Sequence, residues 1–259
     1  TRNVIPFWAL LFLFPASVFA TAESPVVQGL GGAGRAGIPE EALFSNPAAA
    51  GLLTQSASYL YYTKPSVPAF NAGGRGYVVG AYDGENEAAK GSFGYMRTAR
   101  ARIGAGNRQV FEDRSEYRFT VGTRVFGNVM GGFQARYVSQ ITNGNSKKLV
   151  DGDLGILFPI YAGLMGGVTM ENVLNKPGEK PTSFAAGLSY TLSEGIAAYA
   201  DGYRFTKGIE KGQKGWAVGA ELSIGGDFRV RAGRFQEGLS RLRGWSTGLS
   251  WKGPRASFS

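Results

Sequence analysis

The feature that most restricts this chain is a period of two that recurs, in segments of about ten residues, through nearly everything after residue 55. Tyr117, Phe119, Val121, Thr123 and Val125 alternate with Arg118, Thr120, Gly122 and Arg124. Phe133, Ala135, Tyr137 and Ile141 oppose Gly132, Gln134, Arg136 and Gln140, with Ser139 the one polar intruder on the apolar face. The pattern returns at Phe184 to Tyr190, at Trp216 to Leu222 and at Trp245 to Trp251. Successive side chains of a strand point to opposite faces, so each segment is a strand with one apolar and one polar or small face. A soluble β-sandwich also alternates, and the connections separate the two cases. Short turns (126 to 128, 161 to 162, 193 to 195, 225 to 227, 252 to 254) interleave with longer polar ones (143 to 150, 174 to 181, 207 to 213, 236 to 241), and the parity puts 97 to 114 with the long set. Tight turns at one end and long loops at the other are the asymmetry of a membrane barrel. The charged stretch from Asp83 to Lys90 is long for its place among the short turns.

The fold class expected is therefore all-β, an antiparallel transmembrane β-barrel with a short N-terminal plug. Twelve strands are visible, near 56–63, 74–82, 91–98, 115–125, 129–142, 151–160, 163–172, 182–192, 195–206, 213–224, 227–235 and 242–252, and residues 255–259 read as the start of a thirteenth. Single-chain barrels of this kind close with an even number, which favours fourteen intended strands. The organisation expected is a signal peptide at 1–20, a plug at 21–54 and the barrel at 55–259. The leader has Arg2, an apolar run from Val4 to Val18, and small residues around Ala20 and Ala22 that suit a signal peptidase. No later apolar run has the length of a spanning helix, and only a closed barrel then crosses a membrane. An outer-membrane location follows, with membrane lipid as the surrounding partner.

Composition removes several chemistries. The chain has no cysteine and no histidine, which excludes a disulfide framework, a thiolate nucleophile, an imidazole base and an ordinary zinc site. No nucleophile is paired with a base in any recognisable motif, so neither an enzyme nor a cofactor is expected. The net charge of +9 is spread over many segments rather than clustered, which argues against nucleic acid and for solvated loops and a basic lumen. The inward groups that can be named are Arg118, Arg124, Gln134, Arg136, Glu221, Arg229 and Arg231. They suit either a ligand carboxylate or a structural ladder of ion pairs filling a narrow barrel.

Residues 29–53 read GLGGAGRAGIPEEALFSNPAAAGLL, rich in glycine and alanine and without a period of two. No strand precedes these glycines and no βαβ unit follows, so they form no nucleotide-binding loop. The run Gly-Ala-Gly-Arg-Ala, an acidic pair, an aromatic and Asn-Pro-Ala resembles the N-terminal hatch of FadL-type outer-membrane transporters of fatty acids and aromatic hydrocarbons. It also resembles the start of the related PorV-like barrels. The resemblance implies a segment inside the barrel, with Gly32, Gly34, Arg35, Ala36, Asn46, Pro47 and Ala48 as its motif residues. It implies passive uptake or binding of a hydrophobic small molecule, or, on the PorV-like alternative, a non-transporting subunit of an envelope secretion or motility complex. The size departs from the FadL pattern, leaving little chain for large external loops.

Overall fold

The computed structural model describes residues 24–63, 66–67, 72–86, 88–103, 109–174, 181–193, 195–207, 211–225, 228–238 and 243–251. The expected leader at 1–20 and the expected thirteenth strand at 255–259 lie outside the described residues. The strands are β1 (Ala57–Thr63), β2 (Ser66–Val67), β3 (Ala72–Asp83), β4 (Lys90–Ile103), β5 (Gln109–Phe126), β6 (Val129–Thr142), β7 (Asn145–Tyr161), β8 (Leu164–Glu171), β9 (Ser183–Ser193), β10 (Ile196–Phe205), β11 (Lys214–Ile224), β12 (Phe228–Gln236) and β13 (Arg243–Trp251). All pair antiparallel: β1 and β3 to β13 form one meander in which each strand pairs with the next, and the two-residue β2 pairs with β3 off that path.

The two faces fall as the alternation requires. Tyr117, Phe119, Phe133, Tyr137, Trp216 and Trp251 are exposed on the outward face. On β5 and β6 the neighbouring inward residues are buried: Thr120 is 0% and Gln134 2% accessible, against 53% for Phe119 and 50% for Phe133. Apolar outside and polar inside is the reverse of a water-soluble fold, and it suits a sheet whose outer solvent is hydrocarbon. Aromatic rows bound the apolar band at both ends. Tyr77, Tyr95, Tyr117 and Tyr137 form one row, with successive ring centroids 5.9, 4.9 and 6.3 Å apart, and Phe228 stacks with Trp251 near the opposite end.

The strand bounds differ from expectation where hairpins are long. The loop expected at 143–150 is instead strand, because β6 and β7 stay paired up to Thr142 and Asn145 across a two-residue turn. Asn143 has φ 49° and Gly144 φ 83°, the left-handed pair that a tight hairpin turn requires and that Asn-Gly adopts at little cost. Likewise β4 and β5 continue as a ladder to Ile103 and Gln109, well past the expected strand ends.

Inside the sheet lies the segment from Ser24 to Leu53. It consists of a short helix, α1 (Pro25–Gly29), and two 3-10 turns at Pro39–Glu41 and Pro47–Leu52. This segment meets every strand of the meander, from β1, where the Tyr61 hydroxyl donates to Glu41, to β13, where Ser246 donates to the Gly29 carbonyl. Twelve strands laid flat span about 50 Å. Glu41, which meets β1, sits beside the hydroxyl of Ser24, which caps the helix seated on β13. Neighbouring residues of one small segment thus meet both ends of the sheet, so the sheet is curled around it. Among the described residues no ladder joins β1 to β13, and the sheet is not closed. The two edge strands nevertheless run in opposite directions, because the meander between them reverses an odd number of times.

Candidate functional site

The inner segment is fitted to the wall through glycines. On the inward face, Gly94 of β4, Gly122 of β5, Gly132 of β6, Gly155 of β7, Gly167 of β8, Gly219 of β11 and Gly233 of β12 all lie against it. A Cβ on Gly122 would fall 2.5 Å from the Gly51 nitrogen, and one on Gly219 would fall 2.7 Å from the Leu30 oxygen. At Gly122, Gly132, Gly167, Gly219 and Gly233 backbone packs on backbone, while Gly94 and Gly155 receive the side chains of Leu43 and Asn46. The segment's own glycines serve a different need, since Gly31, Gly32, Gly34 and Gly37 have φ of 72°, 92°, 149° and 126°. Those values fold the chain back on itself without a strand edge.

Polar clamps complete the fit. Asn46 is fully buried, its Oδ1 accepting from the Ala48 amide at 3.0 Å and its Nδ2 donating to the Arg35 carbonyl at 2.8 Å and to the Ile156 carbonyl of β7 at 3.2 Å. Pro47 starts the 3-10 turn that Asn46 caps, and Ala48 packs beside Gly132. The Ala36 carbonyl accepts from Ser189 of β9 at 2.8 Å. Arg118 and Gln134 both donate to the Leu43 carbonyl, at 2.8 and 2.9 Å. Lys90 donates to the Leu53 carbonyl, where the segment passes into the wall.

Arg35 makes the strongest attachment. Its Nε and Nη2 donate to one oxygen of Glu171 on β8, at 3.0 and 2.6 Å, and its Nη1 lies 3.4 Å from Asp201 on β10. The same Asp201 oxygen accepts the backbone amides of Gly34 and Arg35, at 2.8 and 3.0 Å. The guanidinium also stands 5.7 Å from the Tyr203 ring centroid. At Gly32 nothing lies within 4 Å in the direction a Cβ would take.

The inward groups named from sequence are mostly occupied by one another. Glu116, buried at 2%, sits among Arg118 at 2.6 Å, Arg114 at 3.0 Å and Arg136 at 3.9 Å. Arg136 also reaches Asp153 at 3.1 Å. On the other side Glu221 is shared by Arg231 at 2.6 Å and Arg229 at 3.6 Å. The expectation of a basic lumen is thereby corrected, because the inner cations come paired with inner carboxylates. Burying cations without partners costs far more than pairing them. Arg124 differs: exposed near the short-turn end, it makes no ion pair among the described residues. There it lines a cavity of about 630 Å³ between Gly51 and Thr54 of the segment and Lys90, Glu85 and Met130 of the wall. Among the described residues no cluster of acids suits a metal ion.

Glu41 is the inner segment's own buried acid. It is 1% accessible, accepts from Tyr61 at 3.1 Å, and has no ion-pair partner among the described residues. Burial pushes its carboxyl up to about 7, against the smaller lowering effects of Ser24 and Tyr61. A raised acid favours the folded state most below its ordinary value and loses that contribution as pH rises through the raised one. The barrel is therefore expected to lose on the order of 3 kcal/mol between pH 4.5 and about 7 through this group. Thermal unfolding of Glu41→Gln against wild type across that range checks it; the variant should lack the slope.

A curled antiparallel sheet with an apolar outer face, a paired polar interior and an N-terminal segment seated within it has the architecture of a transmembrane β-barrel. Comparison with solved structures agrees in fold. The Pseudomonas putida toluene transporter TodX aligns with a TM-score of 0.64 at 11% identity, over 84% of this chain and 84% of that one. The deltaS2 mutant of TodX, a monoaromatic hydrocarbon channel, aligns with a TM-score of 0.61 at 11% identity, over 83% and 82%. No protein-family model and no curated protein matches the sequence.

Proposed function

We propose that this chain is a passive outer-membrane channel for small hydrophobic molecules, in which residues 21–54 act as the plug. The observation that carries the reading is a segment held inside the sheet by contacts to every strand, in a fold shared with a toluene transporter. The reading involves no catalytic step. The glycine contacts leave little room between plug and wall, so passage requires the plug to shift.

The interior also favours a neutral ligand over an anionic amphiphile. Arg35, Arg118, Arg136, Arg229 and Arg231 already hold carboxylates, so a ligand head group would have to displace one of them. Arg124 is the candidate left to meet an anion, and it stands at the short-turn end, beyond the plug. Gln134 and Glu221 belong on this reading to the supporting wall. No observation favours the alternative of a non-transporting envelope anchor.

Ligand-dependent stabilisation tests the proposal. Purified barrel titrated with toluene should unfold at higher temperature, because a ligand at a hundredfold excess over its Kd adds about 2.7 kcal/mol. A carboxylated amphiphile of similar size should stabilise less. No shift with any apolar compound, together with a large co-purifying envelope complex, would transfer the chain to the anchor reading.

A further inference from the structure

Among the described residues a set of cations stands on the outside of the sheet. On the outward face at the long-hairpin end stand Arg75, Arg97, Lys148, Arg204, Lys214 and Arg234, all exposed, with Arg97 directly opposite Tyr77 and Arg234 opposite Trp245. Among the described residues Asp113 is the acid that shares this face there. The register fixes their place relative to the tyrosines. Tyr95, Tyr117 and Tyr137 are direct cross-strand partners. One outward position further on, Arg97, Ser115, Ser139 and Lys148 are direct partners in the same way, across β4, β5, β6 and β7. This row explains Ser139, the polar residue that interrupts an otherwise apolar face. Ser115 already touches the tyrosine row, its hydroxyl 3.2 Å from that of Tyr95.

Tyrosines with apolar bodies and polar tips collect where hydrocarbon gives way to head groups. Two residues further along a strand is about 7 Å, which carries the next row to the level of lipid phosphates. A row of basic and hydroxyl donors at that level, about 14 Å from Arg97 to Lys148, matches anionic oxygens in charge and in hydrogen bonding. Asp113 takes the Arg97 guanidinium from above, at 3.0 and 2.6 Å, which holds that side chain along the wall.

We propose that the row Arg97, Ser115, Ser139 and Lys148 binds the phosphate of lipid head groups in the leaflet at the long-hairpin end of the barrel. The proposal concerns the outer surface and is independent of what passes inside. Full-length barrel, exchanged in detergent against equal amounts of phosphatidylglycerol and phosphatidylcholine, is examined by native mass spectrometry for retained lipid. Wild type should retain phosphatidylglycerol preferentially. Lys148→Gln should lower the preference roughly fivefold and Arg97→Gln with Lys148→Gln more than about tenfold, as for successive basic residues at an anionic surface. Arg97→Lys, which keeps the charge, should retain most of it, and all variants are first checked for heat-resistant folding. Inorganic phosphate at about 10 mM should not displace the lipid, because the bound molecule is anchored by its acyl chains as well. Equal retention of the two lipids, an unchanged double variant, or displacement by inorganic phosphate would each overturn the proposal.

Discussion

Gly155→Val is expected to unseat the plug. The position faces Asn46 and Ala48 so closely that a Cβ would overlap the Asn46 carboxamide and crowd the Ala48 amide. A valine adds two methyl groups beyond that Cβ, and its neighbour is a fully buried side chain that makes three hydrogen bonds. Asn46 would have to leave the Arg35 and Ile156 carbonyls that it now serves. Buried carbonyls left without a donor cost about 1 to 3 kcal/mol each, and overpacking adds a similar amount. The expected result is a loss of about 3 kcal/mol or more, read as an earlier thermal transition, with new protease cleavage between Gly31 and Phe44. Gly202→Val provides the control, since nothing lies within 4 Å of a Cβ there. Its stability should match wild type. If Gly155→Val is equally silent, the plug does not lie against β7.

The second large effect is at Arg35. Removing it leaves Asp201, whose side chain is 1% accessible, and Glu171 without their cation. Breaking a buried pair by deleting one partner costs about 3 to 5 kcal/mol, mostly from the stranded charge. Arg35→Ala should therefore lower stability by that amount, and a triple variant that also carries Glu171→Gln and Asp201→Asn should recover most of the loss. The recovery separates electrostatics from packing. The carboxamide introduced by Asp201→Asn would still accept the backbone amides at positions 34 and 35 through its carbonyl oxygen, so the backbone seat survives in the triple variant. Losses that simply add across the three sites would show instead that Arg35 is held by its contacts rather than by its charge.

Much of the barrel is legible in the sequence because its determinant is local. Alternation at Tyr117 to Val125 or Trp245 to Trp251 needs no knowledge of the partner strand, and the strands found there keep the expected faces. Hairpin ends were harder. Polar residues from Asn143 to Val150 suggest a loop, yet Asn143-Gly144 is itself a hairpin signal, and it outweighs the polarity once the strands rise above the membrane. Glycine was ambiguous for a different reason. The chain has 40 glycines, which composition assigns to turns, but Gly94, Gly132, Gly155 and Gly219 lie within strands where the plug presses on the wall.

The pairings of the interior were not legible at all. Arg35 and Asp201 are separated by 166 positions, and which carboxylate neutralises which arginine is decided by how the strands are staggered around the plug. Sequence therefore left a ligand-binding arginine and a structural one indistinguishable. The outward cations are hard to assign for a related reason: Lys148 falls in a segment that reads as a loop, and Arg97 at the end of a strand, until the ladders are seen to continue through both.

The central claim, that small hydrophobic molecules pass through this barrel when its plug moves, is tested most directly by locking the plug. The chain has no cysteine, so a pair introduced by Ala36→Cys and Ser189→Cys would be the only thiols present. Ser189 already reaches the Ala36 carbonyl, both positions carry a Cβ in the wild type, and the bridge would tie plug to β9. Uptake of labelled toluene is measured in intact cells carrying the wild-type barrel, the oxidised cysteine pair, the reduced pair, or no barrel. Uptake above the no-barrel level for wild type, its loss on oxidation and its return on reduction are the predicted results. Equal uptake with and without the barrel would contradict the channel, and undiminished uptake through the oxidised, verified cross-link would contradict the moving plug.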